Sequence, residues 1–201
     1  MSKQEFQQLT GVSRETLEKL ETYVALLNKW QKAINLVSKS TLPDVWIRHI
    51  LDSYQVIQYG PKEKSIWVDL GSGAGFPALV VAMATDHDVH VIESDLRKCQ
   101  FMREVSRETS TPITVHTKRI EAIEPFKANV ISARALASLE KLLDLGHKFA
   151  TEKTTFLFLK GQDVDAELTN AAKCWNMDAV KHSSLSSSEG CVLQLRNVRP
   201  L

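Results

Sequence analysis

Asp69, three glycines and Glu93 are the residues of this chain whose types and spacing most clearly point to chemistry. The stretch Asp69-Leu-Gly-Ser-Gly-Ala-Gly-Phe-Pro77 sets Gly71, Gly73 and Gly75 two apart, directly after an acid that ends an apolar run. Glycines there let the backbone take φ > 0 and let a ligand approach the main chain without a Cβ in the way. A second carboxylate, Glu93, closes the alternation Val89-His-Val-Ile-Glu93, 22 residues after Gly71. That distance suits a grip on ribose hydroxyls at the end of the neighbouring strand.

The elements that must position these groups are legible around them. Ile66 to Leu70 reads as a strand, and Ala78-Leu-Val-Val-Ala-Met-Ala84 reads as a buried helix. Pro77 falls at an early helical position, where its missing N–H costs nothing. Strand, tight turn and helix, followed by a second strand, describe a nucleoside pocket at the carboxyl ends of two parallel strands. A dinucleotide site spaces its glycines G-x-G-x-x-G and cradles a pyrophosphate on a helix N-terminus. Here the order is Asp-x-Gly-x-Gly-x-Gly. A carboxylate before the first glycine repels pyrophosphate and suits the ammonium and sulfonium of S-adenosylmethionine. A nicotinamide-dependent oxidoreductase, a non-catalytic nucleotide module and a purely structural turn remain the alternatives at this point.

Around that unit, apolar runs alternate with helical segments from Ser65 onward, the pattern of a mostly parallel sheet covered on both faces. Strands are expected near 65–70, 88–93, 112–116, 128–132 and 155–160, with helices near 76–85, 96–108, 119–123, 136–149 and 163–173. The tail breaks the alternation. Asp178–Ser183 and Cys191–Arg196 read as two strands joined by a serine-rich loop, a hairpin that gives a seventh strand and one antiparallel member. Residues 1–60 carry no strand-like run. Leu17, Leu20, Val24 and Leu27 recur at helical spacing in a helix starting near Ser13, with Ser13 and Thr10 as caps. A second helix is expected from Pro43, ended by Gly60-Pro61.

The chain of 201 residues is read as one domain, with 1–60 a helical extension and 65–201 an α/β core. Its 25 basic and 24 acidic residues announce no global field for nucleic acid, so an RNA partner needs a local patch. Cys99, Cys174 and Cys191 are odd in number and lack metal-ligand spacing, which predicts reduced thiols, no metal and a cytoplasmic setting. No apolar run reaches the roughly 18 residues of a membrane span, and Met1 to Phe6 carries no signal core. No long exposed apolar seam is apparent, so a monomer is expected.

Several further segments join the glycine loop in a fixed order: Ile34-Asn-Leu-Val37, Arg48-His-Ile-Leu-Asp-Ser53, Glu93 with Arg97-Lys98, Lys118-Arg-Ile-Glu121, Ser132-Ala-Arg-Ala-Leu-Ala-Ser138 and Leu159-Lys-Gly161. Together, over residues 20 to 165, they resemble the bacterial 16S ribosomal RNA (guanine-N7) methyltransferase G family, also called the glucose-inhibited division protein B family. The resemblance implies a class I S-adenosylmethionine-dependent methyltransferase (Rossmann-like) fold with a seven-stranded sheet. It implies methyl transfer to N7 of guanine 527 of 16S RNA in the small ribosomal subunit, leaving S-adenosylhomocysteine. Naked 16S RNA and RNA pre-shaped in the 30S subunit or its precursors both stay open as the substrate form, the second suiting a compact chain without a dedicated RNA-binding domain. Carried over by position, Gly71, Gly73 and Phe76 would line the methionine part of the donor, with Asp69 at its edge and Gly75 also counted among the donor-binding residues. Glu93 would hold the ribose, and Arg119, Ile120, Glu121 and Ala122 would face adenine. Arg134, after the fourth strand, would face the methyl group. The pattern departs at Ser94-Asp-Leu96, and no role is carried over to Ser94 or Asp95.

The residues agree with that acceptor by what they lack. Pyrimidine C5 methylation needs a cysteine nucleophile, usually beside proline, and no cysteine here follows a proline. Exocyclic amine methylation uses an Asn/Asp-Pro-Pro-aromatic loop, where this chain has Ile131-Ser-Ala-Arg134. Guanine N7 offers an unprotonated in-plane lone pair and releases no proton, so positioning suffices. Arg134 is then expected on O6 alone, on a phosphate or on the donor carboxylate, because the usual bidentate contact to O6 and N7 would mask the nucleophile. Its plainer reading is a strand-end arginine paired with an acid such as Glu140. A class I methyltransferase acting on a small molecule or a protein is the alternative. His49 and Asp52, three apart, permit a hydrogen-bonded pair that braces the helices against the sheet. Arg48, His49, Arg97, Lys98, Lys118 and Lys160 are the candidate RNA contacts, since phosphate contacts position RNA without reading it.

Overall fold

The computed structural model describes residues 1–201. Seven strands form one sheet: β1 Ile66–Leu70, β2 Asp88–Glu93, β3 Thr114–Thr117, β4 Val130–Arg134, β5 Thr155–Lys160, β6 Trp175–Ser183 and β7 Cys191–Pro200. Their order across the sheet is β3-β2-β1-β4-β5-β7-β6. β1 pairs parallel with β2 on one side and β4 on the other, and β7 runs antiparallel to both β5 and β6. Chain order reverses between β1 and β4, so the carboxyl ends of these strands splay apart there and open a crevice.

Burial on both faces explains why the strands read as continuous apolar runs rather than alternating ones. Trp67, Val89, Val91, Val130, Leu157 and Leu159 face one layer. That layer holds α1 Lys3–Thr10, α2 Arg14–Trp30, α4 Ala78–Ala84 and α5 Leu96–Glu108. Val68, Leu70, Ile92, Ile131, Phe156 and Phe158 face the other, under α6 Leu139–Gly146 and α7 Val164–Ala171. The N-terminal helices share the first layer, with Phe6, Leu20, Tyr23 and Leu27 fully buried among Val80, Val81 and Phe101.

Three local details differ from the sequence-based expectation. The chain begins with a separate helix, α1, started by a capping box in which Ser2 and Glu5 satisfy each other's backbone N–H. Thr10 therefore ends a helix rather than starting one, its hydroxyl donating to the Phe6 carbonyl, and Ser13 alone caps α2. The segment expected to run as a helix from Pro43 begins at Trp46 and changes winding, a π-helix over Trp46–Leu51, then α3 Asp52–Tyr54, then a 3₁₀ turn Gln55–Tyr59. A π-winding is wider than an α-helix, so residues three apart no longer share a face. The expected His49–Asp52 pair does not form. His49 bonds the Thr41 hydroxyl at 2.7 Å, and Asp52 bonds Ser186, Gln55 and Arg134.

Candidate active site

Two clefts meet at the carboxyl edge of the sheet. The first, of about 440 Å³, lies over the β1–α4 turn and the end of β2. Gly71, Gly73 and Phe76 line it, with Glu93, Arg119, Ile120, Glu121 and Arg134 around the rim. Gly71 and Gly73 sit at φ +63° and +56°. The Gly71 and Ser72 N–H groups are held by the Ile92 carbonyl at 2.9 and 3.2 Å, which ties the turn to β2. A Cβ at Gly73 would meet no protein atom closer than the Gly71 carbonyl at 3.9 Å, so it would project into the cleft itself. Glu93 accepts from the Gly73 N–H at 3.0 Å and the Asp95 N–H at 2.8 Å, which fixes its carboxylate at the cleft wall. A glycine cradle, an apolar wall and an acid at the second strand end fit an adenosyl group with a short amino-acid tail. Ala122 falls outside this lining, because the 3₁₀ turn Ile120–Ala122 directs only its first part to the cleft.

Asp69 and Gly75, expected beside the donor, lie beneath the glycine turn and outside the cleft lining. Side chains alternate along a strand, and Asp69 shares a face with Trp67, so its carboxylate points under the glycine turn with no exposed surface. Ser132 on β4 donates to Asp69 Oδ1 at 2.6 Å and accepts from the Trp67 indole N–H at 2.8 Å. Oδ2 has no partner. Burial pushes the Asp69 carboxyl up to about 7, against the lowering effect of the Ser132 and Ser72 hydroxyls and of Arg134. Gly75, at φ +93°, is pressed against Leu79, where a Cβ would come within 2.4 Å of the Leu79 side chain. Its role is packing of α4 under the turn. The Tyr23 hydroxyl donates to the Ala74 carbonyl at 2.6 Å, so the extension and the turn are locked together.

The second cleft, of about 680 Å³, opens on the other side of Arg134 and shares Leu36, Arg134 and Ala135 with the first. Arg134 lies 4.8 Å over the Phe76 ring, and its Nη1 reaches the Arg48 carbonyl at 3.3 Å and Asp52 Oδ2 at 3.5 Å. Its acidic partner is thus Asp52, from the N-terminal helices, and not Glu140, which points to solvent on α6. His49 stacks on Phe76 at 5.1 Å and is buried. Burial first, then the charges of Arg134 and Arg48, hold its imidazole down at about 4, so it is neutral at physiological pH. The far wall is the β6–β7 loop. Ser186 donates to Asp52 Oδ1 at 2.5 Å, and Gln55 accepts from the Leu185 N–H at 2.8 Å. Sequence reading left this loop without a role, since serine composition signals a loop and nothing about what it touches.

The basic candidates separate by position. Lys98, Lys118 and Arg119 line the first cleft, Arg48 the second. Exposed Arg97 donates to the Ala33 carbonyl at 2.6 Å, fastening the 31–39 loop to α5. Lys160 is nearly buried, its ammonium bound to Glu167 at 2.7 Å and to the Ala137 carbonyl at 2.9 Å. Lys32 and Lys39, which flank Ile34-Asn-Leu-Val37, join Arg97 and Lys98 around a shallow basic hollow. Their nearness to that segment is the signal that could have singled them out.

Comparison with known proteins follows the same lines. Residues 16–195 match the family model described as rRNA small subunit methyltransferase G. The chain belongs to the rRNA small subunit methyltransferase G family. It is 50% identical over 198 residues to the ribosomal RNA small subunit methyltransferase G of Paramagnetospirillum magneticum, covering 98% of this chain and 97% of that one. Identity to the Parvibaculum lavamentivorans protein of the same name is 49% over 199 residues, covering 96% and 88%. Among solved structures, a TehB-like SAM-dependent methyltransferase from Corynebacterium glutamicum superposes with a TM-score of 0.60 at 15% identity, over 88% of this chain and 97% of that one. The M. jannaschii TYW2 structure in complex with AdoMet superposes at 0.60 and 12% identity, over 85% and 80%. The structural likeness shows the class I methyltransferase fold, as the β3-β2-β1-β4-β5-β7-β6 order does. The sequence match extends through the β6–β7 hairpin, which the motifs alone did not reach.

Proposed function

We propose that this protein transfers a methyl group from S-adenosylmethionine to N7 of guanine 527 in 16S ribosomal RNA. One observation carries the reading: the glycine-lined cleft and the polar cleft adjoin at Leu36, Arg134 and Ala135. A donor in the first and a base in the second would meet at that junction. The names of the relatives supply the substrate class, and the chemistry of the junction supports the acceptor atom. Bound there, the donor supplies an electrophilic methyl on a sulfonium. The chain's own residues orient and desolvate. Glu93 would take the ribose hydroxyls, Ile120 and Glu121 the adenine, and Arg134 the acceptor O6 or a donor carboxylate. Asp69 titrates near neutrality but has no exposed surface, and His49 is a weak base engaged by Thr41. Asp52, the carboxylate at the junction, is engaged by Ser186, Gln55 and Arg134, and an N7 nucleophile, which sheds no proton, asks no base of it. Positioning of this kind is worth up to roughly 7–11 kcal/mol.

The RNA would approach across the second cleft, with Lys98, Lys118 and Arg119 on one flank and Arg48 on the other meeting phosphates. The near-neutral charge balance favours an acceptor pre-shaped in the small subunit or its precursors over naked RNA. The enzyme is proposed to act as a cytoplasmic monomer; no helix is long and apolar enough to cross a membrane. The test is tritiated methyl transfer to 30S particles and to free 16S RNA from cells lacking this activity, with the nucleoside identified by mass spectrometry. Label in 7-methylguanosine, stronger on particles, is expected. Donor binding without label in RNA would sink the RNA reading in favour of a small-molecule or protein acceptor.

A further inference from the structure

We infer that Asp52 reads the Watson–Crick edge of the acceptor guanine, and so selects guanine over other purines. The inference rests on the functional reading above and deepens it. Around the rim of guanine, N7, O6, N1–H and the N2 amino group follow one another in that order. The protein presents matching groups in the same sequence. The donor cleft comes first, Arg134 lies where the two clefts join, and Asp52 lies beyond it in the second cleft only. With N7 turned to the methyl group, a single guanidinium N–H meets O6, and the next group along is a carboxylate. An ionised carboxylate only accepts hydrogen bonds, and N1–H and N2–H are the two donors guanine offers on that edge. Bases taken out of a stack for chemistry are read by hydrogen bonds to this edge.

Asp52 keeps one oxygen, Oδ2, free to accept from N1–H and N2–H together. Oδ1 accepts from the Ser186 hydroxyl at 2.5 Å and from Gln55 Nε2 at 3.0 Å, which sets the plane of the carboxylate. Oδ2 carries only the 3.5 Å contact to Arg134 Nη1. That contact and the one to the Arg48 carbonyl both fall on Nη1, so the rest of the guanidinium fork is left to face a ligand. Both side chains are 18% exposed, largely desolvated yet open to the cleft. Adenine in the same pose would set its N6 amino group against Arg134 and its N1 lone pair against Asp52, two repulsions where guanine makes two bonds. A site built to bond a substrate N–H rejects analogues lacking it, because the buried acceptor is then left unpaired.

The test uses 30S particles whose 16S RNA carries either guanine or inosine at the acceptor position. Inosine keeps N7, O6 and N1–H and lacks the N2 amino group. Rates are measured as kcat/KM, and affinities by filter retention in the presence of S-adenosylhomocysteine. For the unaltered protein, inosine should lower kcat/KM and affinity by roughly ten- to a hundredfold, the loss of one hydrogen bond to a charged group. Asp52→Asn should bind guanine particles more weakly and lose the distinction between the two bases. Ser186→Ala, which frees Oδ1 but leaves Oδ2 in place, should keep it. Equal treatment of guanine and inosine by the unaltered protein, or an undiminished inosine penalty in Asp52→Asn, overturns the inference while leaving the methyltransferase reading intact. Failure of the unaltered protein to label guanine particles overturns both.

Discussion

The proposed donor cleft and the proposed acceptor cleft are built in opposite ways. Most of the donor cleft comes from one short piece of chain, the β1 turn and the end of β2, closed by Lys118–Glu121 and the Arg134 segment. Its geometry is set by backbone: positive φ at Gly71 and Gly73, and N–H groups tied to Ile92 and Glu93. The acceptor cleft draws on residues 36–52, on Arg134, on residues 160–163 and on the 184–191 loop. There the geometry is set by side chains that meet only in the folded chain, such as Asp52 with Ser186 across 134 positions. Backbone-built sites leave a mark in local sequence. Sites built from distant side chains do not.

That contrast predicts which changes damage which half. Arg134→Ala strikes the junction and should have the largest effect, lowering kcat/KM by about 10²–10³, the scale for removing one preorganised donor. Donor affinity, measured by calorimetry, should change far less. Arg134→Lys should restore only part of the rate, because an ammonium lacks the planar fork that lies over Phe76. A rate loss matched by an equal loss of donor binding would move Arg134 wholly to the donor side.

Next comes the buried acid under the turn. Burial raises the Asp69 carboxyl from its ordinary 3.8 to about 7 in the folded state. The native state therefore holds a proton that the unfolded chain has already released, and stability falls as pH rises through that window and levels off above about 7. Asp69→Asn should remove this slope, gaining stability relative to the unaltered protein by up to a few kcal/mol between pH 4 and 7. Urea unfolding at a series of pH values measures it, and parallel curves for the two proteins would show that Asp69 is not the titrating group.

Glu93→Gln should weaken donor binding about ten- to a hundredfold, the scale of a hydrogen bond to a charged group. The acceptor KM should stay unchanged. The smallest contrast separates two glycines. Gly75→Ala should destabilise the fold by about 1–3 kcal/mol through overpacking against Leu79, with about 1–2 kcal/mol more from its φ of +93°, while the folded fraction still binds donor. Gly73→Ala, whose Cβ enters the cleft, should cost about 1–2 kcal/mol of stability from its φ and impair donor binding. Thermal melts and calorimetry on both variants decide it, and identical behaviour would erase the distinction between a packing glycine and a cradle glycine.

Sequence periodicity was sufficient for the strand–helix order, for β2 and α5 to the residue, and for the antiparallel ending of the sheet. It missed α1, whose single buried residue, Phe6, makes too faint a stripe in eight residues. It also missed the π-winding, since the pattern of apolar residues between Val45 and Val56 fits an α-helix equally well. Asp69 was legible as an acid by the glycines but not as a buried one, because orientation along a strand depends on which face meets which layer. Gly75 looked like its two neighbours in the motif, and only the packing of Leu79 tells them apart.

What the sequence by itself determined is the local backbone: where glycine permits a left-handed turn, where a strand must end, and which carboxylate closes the neighbouring strand. Those outcomes follow from φ/ψ sterics and short-range hydrogen bonds, which act within a few residues. The tertiary structure alone decided the partners of Arg134, the burial and raised pKa of Asp69, the sequestering of Lys160 by Glu167, and the wall that the β6–β7 loop makes against Asp52. Arg134 with Asp52, Asp69 with Ser132 and Asp52 with Ser186 join positions far apart in the chain, and Lys160 with Glu167 joins a strand end to the following helix. The energy of each exists only once the core has brought the groups within hydrogen-bond reach.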